Sequence, residues 1–462
     1  MILIGFTLAM LLFFGVGMAS MRHAKKDVGD YLIADRSVSP AAAGLSAVAS
    51  NNSGFMFIGA IGFTYAYGLA AVWLFFAWIA GDYVSWLLVH RNLRTMSEAQ
   101  GSNSVAGFLA HDGKQSNRGL QLVLGVLTLI FLTLYAAAQL KAGGKALQTV
   151  LDWPSVSGVY MGAILVLAYS FAGGIRASIW TDVAQSIVMI GAMALIAVVC
   201  HTEVAPIHQI TAELEAIDPN LLSLTPVDAS LGLLPYVLGW FVAGLGGVGQ
   251  PHIIVRAMAV DSADGIPRMR RTYFSWYIAF SVFTMLVGLY SRIHLNGVDF
   301  DAETALPILA GDHLSPLLVG VILASMFAAT ISTADSQVLA CSASVTQDIS
   351  PTHRENHMAA KLATVCVVLV AMGVALVGPD SVFLLVTVAW GLMTTCFAPL
   401  MIARCLSWTV DSRAAIAACI VGTSAMLGWT HVLGLGDAVY DGAVGFIVSM
   451  AIVFITSKRS VQ

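Results

Sequence analysis

Long apolar segments follow one another along almost the whole chain, and the charged residues collect between these segments. A helix needs about 20 apolar residues to cross the hydrocarbon core of a bilayer. Only 10% of the 462 residues are charged, whereas the charged share of typical soluble domains is about 25%. Because so few charges cannot cover a soluble surface, the sequence predicts an all-α membrane protein.

The apolar segments predict about thirteen transmembrane helices in one domain that covers residues 1–462. Ten of them form two sets of five, over 39–201 and 231–405. An odd number of crossings gives the two sets opposite orientations, which predicts an inverted repeat of the kind found in secondary transporters. The other three helices are expected at the periphery of the bundle, at 1–21, 414–432 and 440–457.

Lysine and arginine are distributed unevenly between the two sets of predicted loops. If the N-terminus lies outside, nineteen of the 22 basic residues fall on the cytoplasmic side, including Lys26, Lys114 and a loop residue, Arg256. By the positive-inside rule this predicts a bacterial inner-membrane protein with a cytoplasmic C-terminus. The first helix has no basic residue before it, so it is expected to be retained and not cleaved. The exceptions to the charge distribution are Lys141, Lys145 and Arg292.

Two of the apolar segments are interrupted by polar and glycine-rich sequence. The second segment contains LSAVASNNSGF at 45–55, and the seventh contains GLGGVGQP at 244–251. Unwound backbone at membrane depth is tolerated where it lines a cavity, and a matched pair of breaks marks the central site of many transporters. The sequence therefore predicts a secondary transporter whose binding site lies between two broken helices.

Longer motifs in the same regions point to a family. They are DYLIADRSVSP at 30–40, LSAVASNNSGF at 45–55, GQPHIIVRAMA at 249–259 and ATISTADSQVLACSASVTQD at 329–348. In these motifs the chain resembles the sodium:solute symporter family, and most closely its sodium/proline symporter branch. The resemblance implies a LeuT-like bundle of five plus five helices that couples sodium entry to the uptake of a small organic solute.

The resemblance also implies a sodium site. Its ligands would be the backbone carbonyls of Ala49, Asn52 and Ala329 and the hydroxyls of Ser332 and Thr333. Sodium is a hard cation that prefers oxygen ligands, and a site without a carboxylate can release it in each cycle. The structural alternative is that both hydroxyls only bond to the preceding turn of their own helix.

Acidic residues within the predicted helices are a second functional signal, because an unpaired charge is costly inside a membrane. The resemblance places the sixth helix against the ninth, which would bring Asp182 near Asp335 and Ser336. These groups would form a second sodium site or share a proton, unless Asp182 only braces a helix start. For Asp82, in the third helix, a hydrogen bond to a neighbouring helix is favoured.

The solute is expected where the two breaks meet. The expected contacts come from both breaks and from the fourth helix, and they are Asn51, Ser53, Gly54, Phe55, Tyr135, Gly247 and Gln250. Glycine would let the solute approach the backbone, and the exposed N-termini of half-helices favour a carboxylate. Asn51 and Phe55 stand where the proline branch typically has aspartate and tryptophan. This difference widens the pocket and removes a negative charge.

The leading functional hypothesis is sodium-driven symport of proline or a similar amino acid. The nearest alternative is a symporter for a monocarboxylate or a vitamin, such as acetate or pantothenate, and a different class is the input domain of a membrane receptor. The helices carry no H-E-x-x-H or G-x-S-x-G motif, so an enzyme is not expected. The expected partners are the solute, the sodium ion and membrane lipid, without nucleic acid or an obligate protein partner.

Overall fold

The computed structural model describes residues 1–20, 22, 25, 27–111, 115–226 and 229–459. Lys26 and Lys114 lie outside the described residues. The described chain is mostly helical, and its one named sheet pairs the short strands β1 (Trp408–Thr409) and β2 (Lys458–Arg459). The predicted all-α class is therefore confirmed.

The first half of the described chain forms a series of helices that often begin at a capping residue. Ser39 caps α3 by accepting from the Ala42 amide, and Pro40 occupies the first turn, as is typical of helix starts. The helices are α1 (Ile2–Ser20), α2 (Val28–Ile33), α3 (Pro40–Asn51), α4 (Gly54–Phe57), α5 (Gly59–Tyr67), α6 (Val72–Ser85), α7 (Arg91–Ala99), α8 (Val105–Leu109), α9 (Arg118–Leu151) and α10 (Ser155–Glu203).

The second half continues in the same way, and Ser344–Ile349 extends α16 as a π-helix. Its helices are α11 (Ile210–Ile217), α12 (Leu233–Leu245), α13 (Pro251–Ala259), α14 (Ile266–His294), α15 (Ala305–His313), α16 (Pro316–Ala343), α17 (His357–Val377), α18 (Val382–Cys405), α19 (Ser412–His431) and α20 (Asp441–Thr456).

A glycine divides the long helix α10 (Ser155–Glu203) into two parts. Gly174 has φ 57° and ψ −152° inside this helix, a conformation that residues with a side chain rarely adopt. A Cβ at Gly174 would also lie 2.5 Å from atoms of Tyr31. Both the turn and the close approach of Tyr31 therefore require glycine.

The number of transmembrane helices does not follow directly from helix length. Within the described ranges, nine helical stretches are long and apolar enough to cross a membrane, or ten if Leu233–Gly249 and Pro251–Ala259 form one bent span. Two further apolar helices, Ser155–Ala168 and Asp441–Thr456, are shorter. The predicted count of thirteen is therefore not confirmed, and the division into two repeats stays a prediction.

Burial separates central from peripheral helices. Of the most apolar window of Pro316–Ile349, 83% is buried in the protein, against 28% for both Ile2–Ser20 and Ser412–His431. Side chains that face lipid are not covered by other parts of the protein, so a low buried share marks a helix at the surface of the bundle. α16 therefore lies at the centre of the bundle, and α1 and α19 lie at its surface. The hydroxyls and the buried aspartate of α16 are therefore placed in the interior.

The first sequence interruption is a break in a helix. α3 ends at Asn51, and Asn52 has φ −89° and ψ 64°, outside the helical region. The chain re-enters a helix at Ser53, whose hydroxyl accepts from the Phe55 amide at 3.2 Å. α3 and α4 are thus two half-helices joined by unwound backbone, as predicted.

The second interruption is also a break. α12 continues into a tight 3-10 turn at Gly246–Gly249, and Gln250, with φ −100° and ψ 96°, separates this turn from α13. The axes on either side bend by 53°. Pro251 begins α13, where its missing amide hydrogen costs no helical hydrogen bond. The prediction of two broken helices is therefore confirmed.

Candidate functional site

Two hydroxyls of α16 contact the end of α3 at the first break. The Ser332 hydroxyl donates to the Ala49 carbonyl at 3.2 Å, and the Thr333 hydroxyl donates to the Ser50 carbonyl at 3.1 Å. Both side chains are buried. These bonds cross between helices, so the alternative of bonds only within α16 does not describe either residue.

The backbone at the break supplies further oxygen atoms. Asn52 is buried and its side-chain amide donates to the Val48 carbonyl at 3.0 Å. Because helix α3 stops here, its last carbonyls have no amide four residues ahead to accept from. Ala329 is buried on α16, three residues before Ser332 and so on the same face. The break therefore brings Ala49 and Ser50 next to Ser332 and Thr333, and the sodium site itself stays a prediction.

Asp182 lies in a buried ion pair. Arg256 Nη2 is 3.2 Å from Asp182 Oδ2, and both side chains are completely buried. The arginine also donates to the hydroxyls of Ser46 at 3.1 Å, Ser178 at 3.2 Å and Ser336. Arg256 of α13 therefore links α3, α10 and α16.

The assignment of Arg256 to a cytoplasmic loop is wrong. The residue lies inside α13, the second half of the broken helix, and its guanidinium is buried. The sequence did contain a signal that Arg256 is buried, because the residue lies within the apolar motif GQPHIIVRAMA at 249–259. A buried arginine needs a counter-charge, and Asp182 provides it.

The second sodium site remains a prediction. Asp335 accepts from the Ser170 hydroxyl, and the Ser336 and Ser50 hydroxyls are 2.9 Å apart. The Arg256 guanidinium contacts both Asp182 and Ser336. The guanidinium therefore pairs with Asp182 Oδ2, whereas Asp182 Oδ1 has no hydrogen-bond partner among the described residues.

Asp82 forms the expected bond to a neighbouring helix. The Tyr273 hydroxyl of α14 donates to Asp82 Oδ2 at 2.7 Å. Gly247 lies against the same carboxylate, because a Cβ there would be 2.9 Å from Asp82 Oδ1. This contact brings the second break close to α6.

Two residues of α9 face the first break. Gln139 Oε1 accepts from the Gly54 amide at 3.0 Å, and the Tyr135 hydroxyl contacts Ser53. Sequence reasoning missed Gln139, although it follows the predicted Tyr135 by four residues on one face of the helix. Gly54 also packs closely on α16: a Cβ there would lie 2.6 Å from Thr330 Cγ2. The close packing of α4 on α16 therefore requires this glycine.

Several buried polar atoms around the two breaks have no hydrogen-bond partner among the described residues. A buried polar group is normally paired, and leaving it unpaired costs about 1–3 kcal/mol. Both breaks and α9 contribute such atoms: Asn52 Oδ1, Gln139 Nε2, Gln250 Oε1 and both ring nitrogens of His252. Both breaks therefore carry hydrogen-bonding atoms that no described residue pairs with.

Aromatic residues separate the breaks from a cavity of about 470 Å³. The Phe55 ring centroid lies 5.3 Å from that of Phe383 and 6.1 Å from that of Trp78. Phe383 also lines the cavity, together with Phe63 and Trp240. Phe55, next to the first break, thus contacts Phe383 in the wall of this cavity.

Asn51 and Gln250 complete the set of predicted solute contacts. Asn51 interacts with the Tyr277 hydroxyl of α14. The Gln250 amide donates to the Trp390 carbonyl of α18 at 3.2 Å. Each residue therefore bonds to a helix outside its own broken helix. The side-chain oxygen of Gln250, Oε1, has no partner among the described residues.

Lys141 and Lys145, which do not follow the positive-inside distribution, form ion pairs with acidic residues near the C-terminal end of α9. Lys145 lies 2.6 Å from Glu303 and 2.8 Å from Asp301, and Lys141 lies 2.9 Å from Asp380. The hydrogen bond and charge of Lys141 lower the pKa of Asp380. These carboxylates neutralise both lysines locally, which explains why they depart from the general distribution.

Comparisons with known proteins cover nearly the full chain. The model of the sodium:solute symporter family matches residues 31–422. The high-affinity proline transporter PutP of Bacillus subtilis (strain 168) is 30% identical over 439 residues, 93% of this chain and 92% of that protein. The osmoregulated proline transporter OpuE of the same strain is 31% identical over 450 residues, 94% and 90% of the two chains. A sodium/proline symporter of Staphylococcus aureus (strain JH9) is 29% identical over 479 residues, 96% and 90%.

Solved structures share the fold. A Na+-coupled sialic acid symporter in a substrate-bound outward-open state matches with a TM-score of 0.77 at 18% identity, over 98% of this chain and 99% of that one. The nucleobase-cation-symport transporter Mhp1 matches with a TM-score of 0.53 at 14% identity, over 92% and 93%. The predicted LeuT-like fold is confirmed. The chain therefore belongs to the sodium:solute symporter family and is a multi-pass membrane transporter that couples solute movement to sodium.

Proposed function

We propose that this transporter imports proline together with sodium by alternating access. Proline transport is the printed function of relatives that are about 30% identical over more than nine-tenths of the chain. The observation that carries the proposal is the set of unpaired polar atoms at the two breaks and on the facing helix α9, which belong to Asn52, Gln139, Gln250 and His252. They offer both donors and acceptors to a small zwitterion.

The sodium ion binds at the first break in this proposal. Its ligands are the carbonyls of Ala49, Asn52 and Ala329 and the hydroxyls of Ser332 and Thr333. The bonds that Ser332 and Thr333 now donate to α3 hold the two elements together. A cation between them would replace these weak bonds with stronger contacts to oxygen.

The solute binds next to the ion, on the other side of the same unwound segment. The Gln139 amide donates to the proline carboxylate, and the free oxygens of Asn52 and Gln250 accept from its ammonium group. Phe55 and Tyr135 pack against the ring. Proline carries two ammonium hydrogens, so two acceptors are the number that this solute needs.

Coupling follows from the shared backbone. Asn52 contributes to the ion site through its carbonyl and to the solute site through its side chain. Either ligand therefore orders the segment Asn51–Ser53 for the other, and the two affinities must increase by the same factor. This reciprocity links inward sodium movement to solute uptake.

The orientation in the membrane is part of the proposal. The positive-inside distribution supports an outside N-terminus and a cytoplasmic C-terminus in a bacterial inner membrane. In that orientation the 470 Å³ cavity opens to the outside. A solute would then enter past Phe63 and Trp240 and reach the breaks beyond Phe55.

Uptake into proteoliposomes tests the proposal. Purified protein should accumulate radiolabelled proline when sodium is outside, and not when potassium or choline replaces it. Unlabelled proline should compete, whereas acetate and pantothenate should not. Competition by either of those acids instead of proline would favour the monocarboxylate or vitamin alternative, and sodium-independent binding without accumulation would favour a receptor.

A further inference from the structure

Two histidines meet where the ends of three helices converge. His294 ends α14, His313 ends α15 and Glu203 ends α10. His313 Nε2 lies 3.3 Å from His294 Nδ1, and the ring centroids are 4.4 Å apart. The opposite ring nitrogens face carboxylates: His294 Nε2 lies 3.0 Å from Asp312, and His313 Nδ1 lies 2.9 Å from Glu203.

The carboxylates determine which nitrogens carry hydrogen. An ionised carboxylate only accepts hydrogen bonds, so the nitrogens that face Asp312 and Glu203 are N–H donors. A neutral imidazole has one N–H group. The two nitrogens that face one another, on His294 and His313, then both present lone pairs. This contact is repulsive unless a proton or a metal ion lies between them.

We propose that His294 and His313 bind one divalent transition-metal ion, for which Zn2+ is the representative. Zinc–nitrogen bonds of about 2.0–2.1 Å place two tetrahedral ligands roughly 3.3 Å apart, which matches the separation of the facing nitrogens. A carboxylate on the other ring N–H is a recurring feature of metal-binding histidine and fixes the ring orientation. Asp312 and Glu203 have this position.

The site would be open and of moderate affinity. Among the described residues, no group of three or more histidine, cysteine or acidic side chains could hold a metal, so water must complete the coordination. The His294 and His313 side chains are 29% and 12% exposed, which leaves a path for the ion. Such a site suits a regulatory ion better than a permanent structural one.

Metal binding would restrain the segment that leads to the cavity. The ion would join the end of α14 to the end of α15, and the chain just before α15 carries Ala302 and Glu303, which line the 470 Å³ cavity. Glu303 also accepts from the amides of Val382 and Phe383 at the start of α18. Zinc should therefore slow solute entry, and this consequence rests on the proposed transport function.

Calorimetric titration of the purified full-length protein with Zn2+ tests the site. We expect one saturable site, with affinity at least tenfold weaker in His294→Ala and in His313→Ala. Glu203→Gln should weaken binding about tenfold while it keeps both ligands. His208→Ala, which removes an exposed histidine outside the cluster, should leave binding unchanged. Size-exclusion profiles and melting temperatures identify any variant that fails to fold.

Uptake measurements separate this proposal from the proposed function. Zinc should inhibit sodium-driven proline uptake by the wild type and by His208→Ala, and should not inhibit the His294→Ala/His313→Ala variant. Equal zinc affinity in the wild type and the folded double variant would overturn the site. If the wild type binds zinc but transports no proline, the proposed function fails and the metal site stands.

Discussion

Arg256 and Asp182 form an ion pair in which neither side chain has any solvent exposure. Taking two charges out of water is costly, and the attraction between them compensates only when further hydrogen bonds complete the arrangement. Here Ser46 donates to Asp182 at 2.6 Å and accepts from Arg256 at 3.1 Å. The pair joins α13, the second half of one broken helix, to α10, and Ser46 joins both members to α3, the first half of the other broken helix. Hydrogen bonds of Ser46 and Arg256 therefore link residues of the two broken helices.

Removing one member of this pair should be worse than removing both. Arg256→Gln leaves Asp182 buried without its counter-charge, a change that typically costs about 3–5 kcal/mol. We expect Arg256→Gln to melt well below the wild type in a thermal unfolding assay, and Arg256→Gln/Asp182→Asn to recover part of the loss. Additive destabilisation by the two substitutions would show that the pair does not act as a unit.

The hydroxyls on α16 should control sodium affinity. Ser332→Ala and Thr333→Ala each remove one proposed ligand. A bond to a charged group contributes about 1.5–3 kcal/mol, so its loss should lower the sodium affinity at least tenfold. The sodium concentration for half-maximal proline uptake should rise accordingly. Ser325→Ala is the matched control, because that buried hydroxyl of α16 bonds to the Ile322 carbonyl of its own turn. An equal effect in all three variants would argue against the ion site.

Substitution of Gln139 should change the affinity for proline more than the affinity for sodium. Gln139→Ala removes the proposed carboxylate donor and leaves the Gly54 amide without its acceptor. We expect KM for proline to rise about tenfold, the equivalent of one hydrogen bond to a charged group, with little change in sodium dependence. Thr128→Val on the same helix removes a hydroxyl that bonds only within α9 and should behave as the wild type. An unchanged KM in Gln139→Ala would exclude this contact.

The packing at Gly54 predicts a rescue. Gly54→Ala places a Cβ 2.6 Å from Thr330 Cγ2, and overpacking of this kind costs about 1–3 kcal/mol. Thr330→Ser removes that methyl group and keeps the hydroxyl, so Gly54→Ala/Thr330→Ser should regain stability and uptake. If Gly54→Ala retains full stability and loses only proline affinity, the glycine serves the solute, as sequence reasoning first suggested.

The two breaks could be predicted from sequence because their cause is local. Amides, hydroxyls and glycines in an apolar segment weaken the helix at that point, and Ser53 and Pro251 mark where the next half-helix begins. Membership in the membrane class follows equally from composition. The helix breaks and the membrane class both depend on residues that are close together in the sequence.

Features that depend on tertiary contacts could not be predicted in this way. Arg256 follows a polar break, so a rule based on charge distribution assigns it to a loop, whereas partners 74 to 210 residues away bury it. The close contact at Gly54 is with a methyl group on α16, and the bond that Gln139 accepts from Gly54 depends on how α9 faces the break. Each requires the packing of separate helices.

Sodium binding measured with and without proline tests the central claim most directly. If both ligands order the same unwound segment, saturating proline should raise the 22Na+ affinity of purified protein, and saturating sodium should raise proline affinity by the same factor. The Ser332→Ala variant should weaken both. Sodium and proline affinities that are independent of one another would contradict a shared site at the first break.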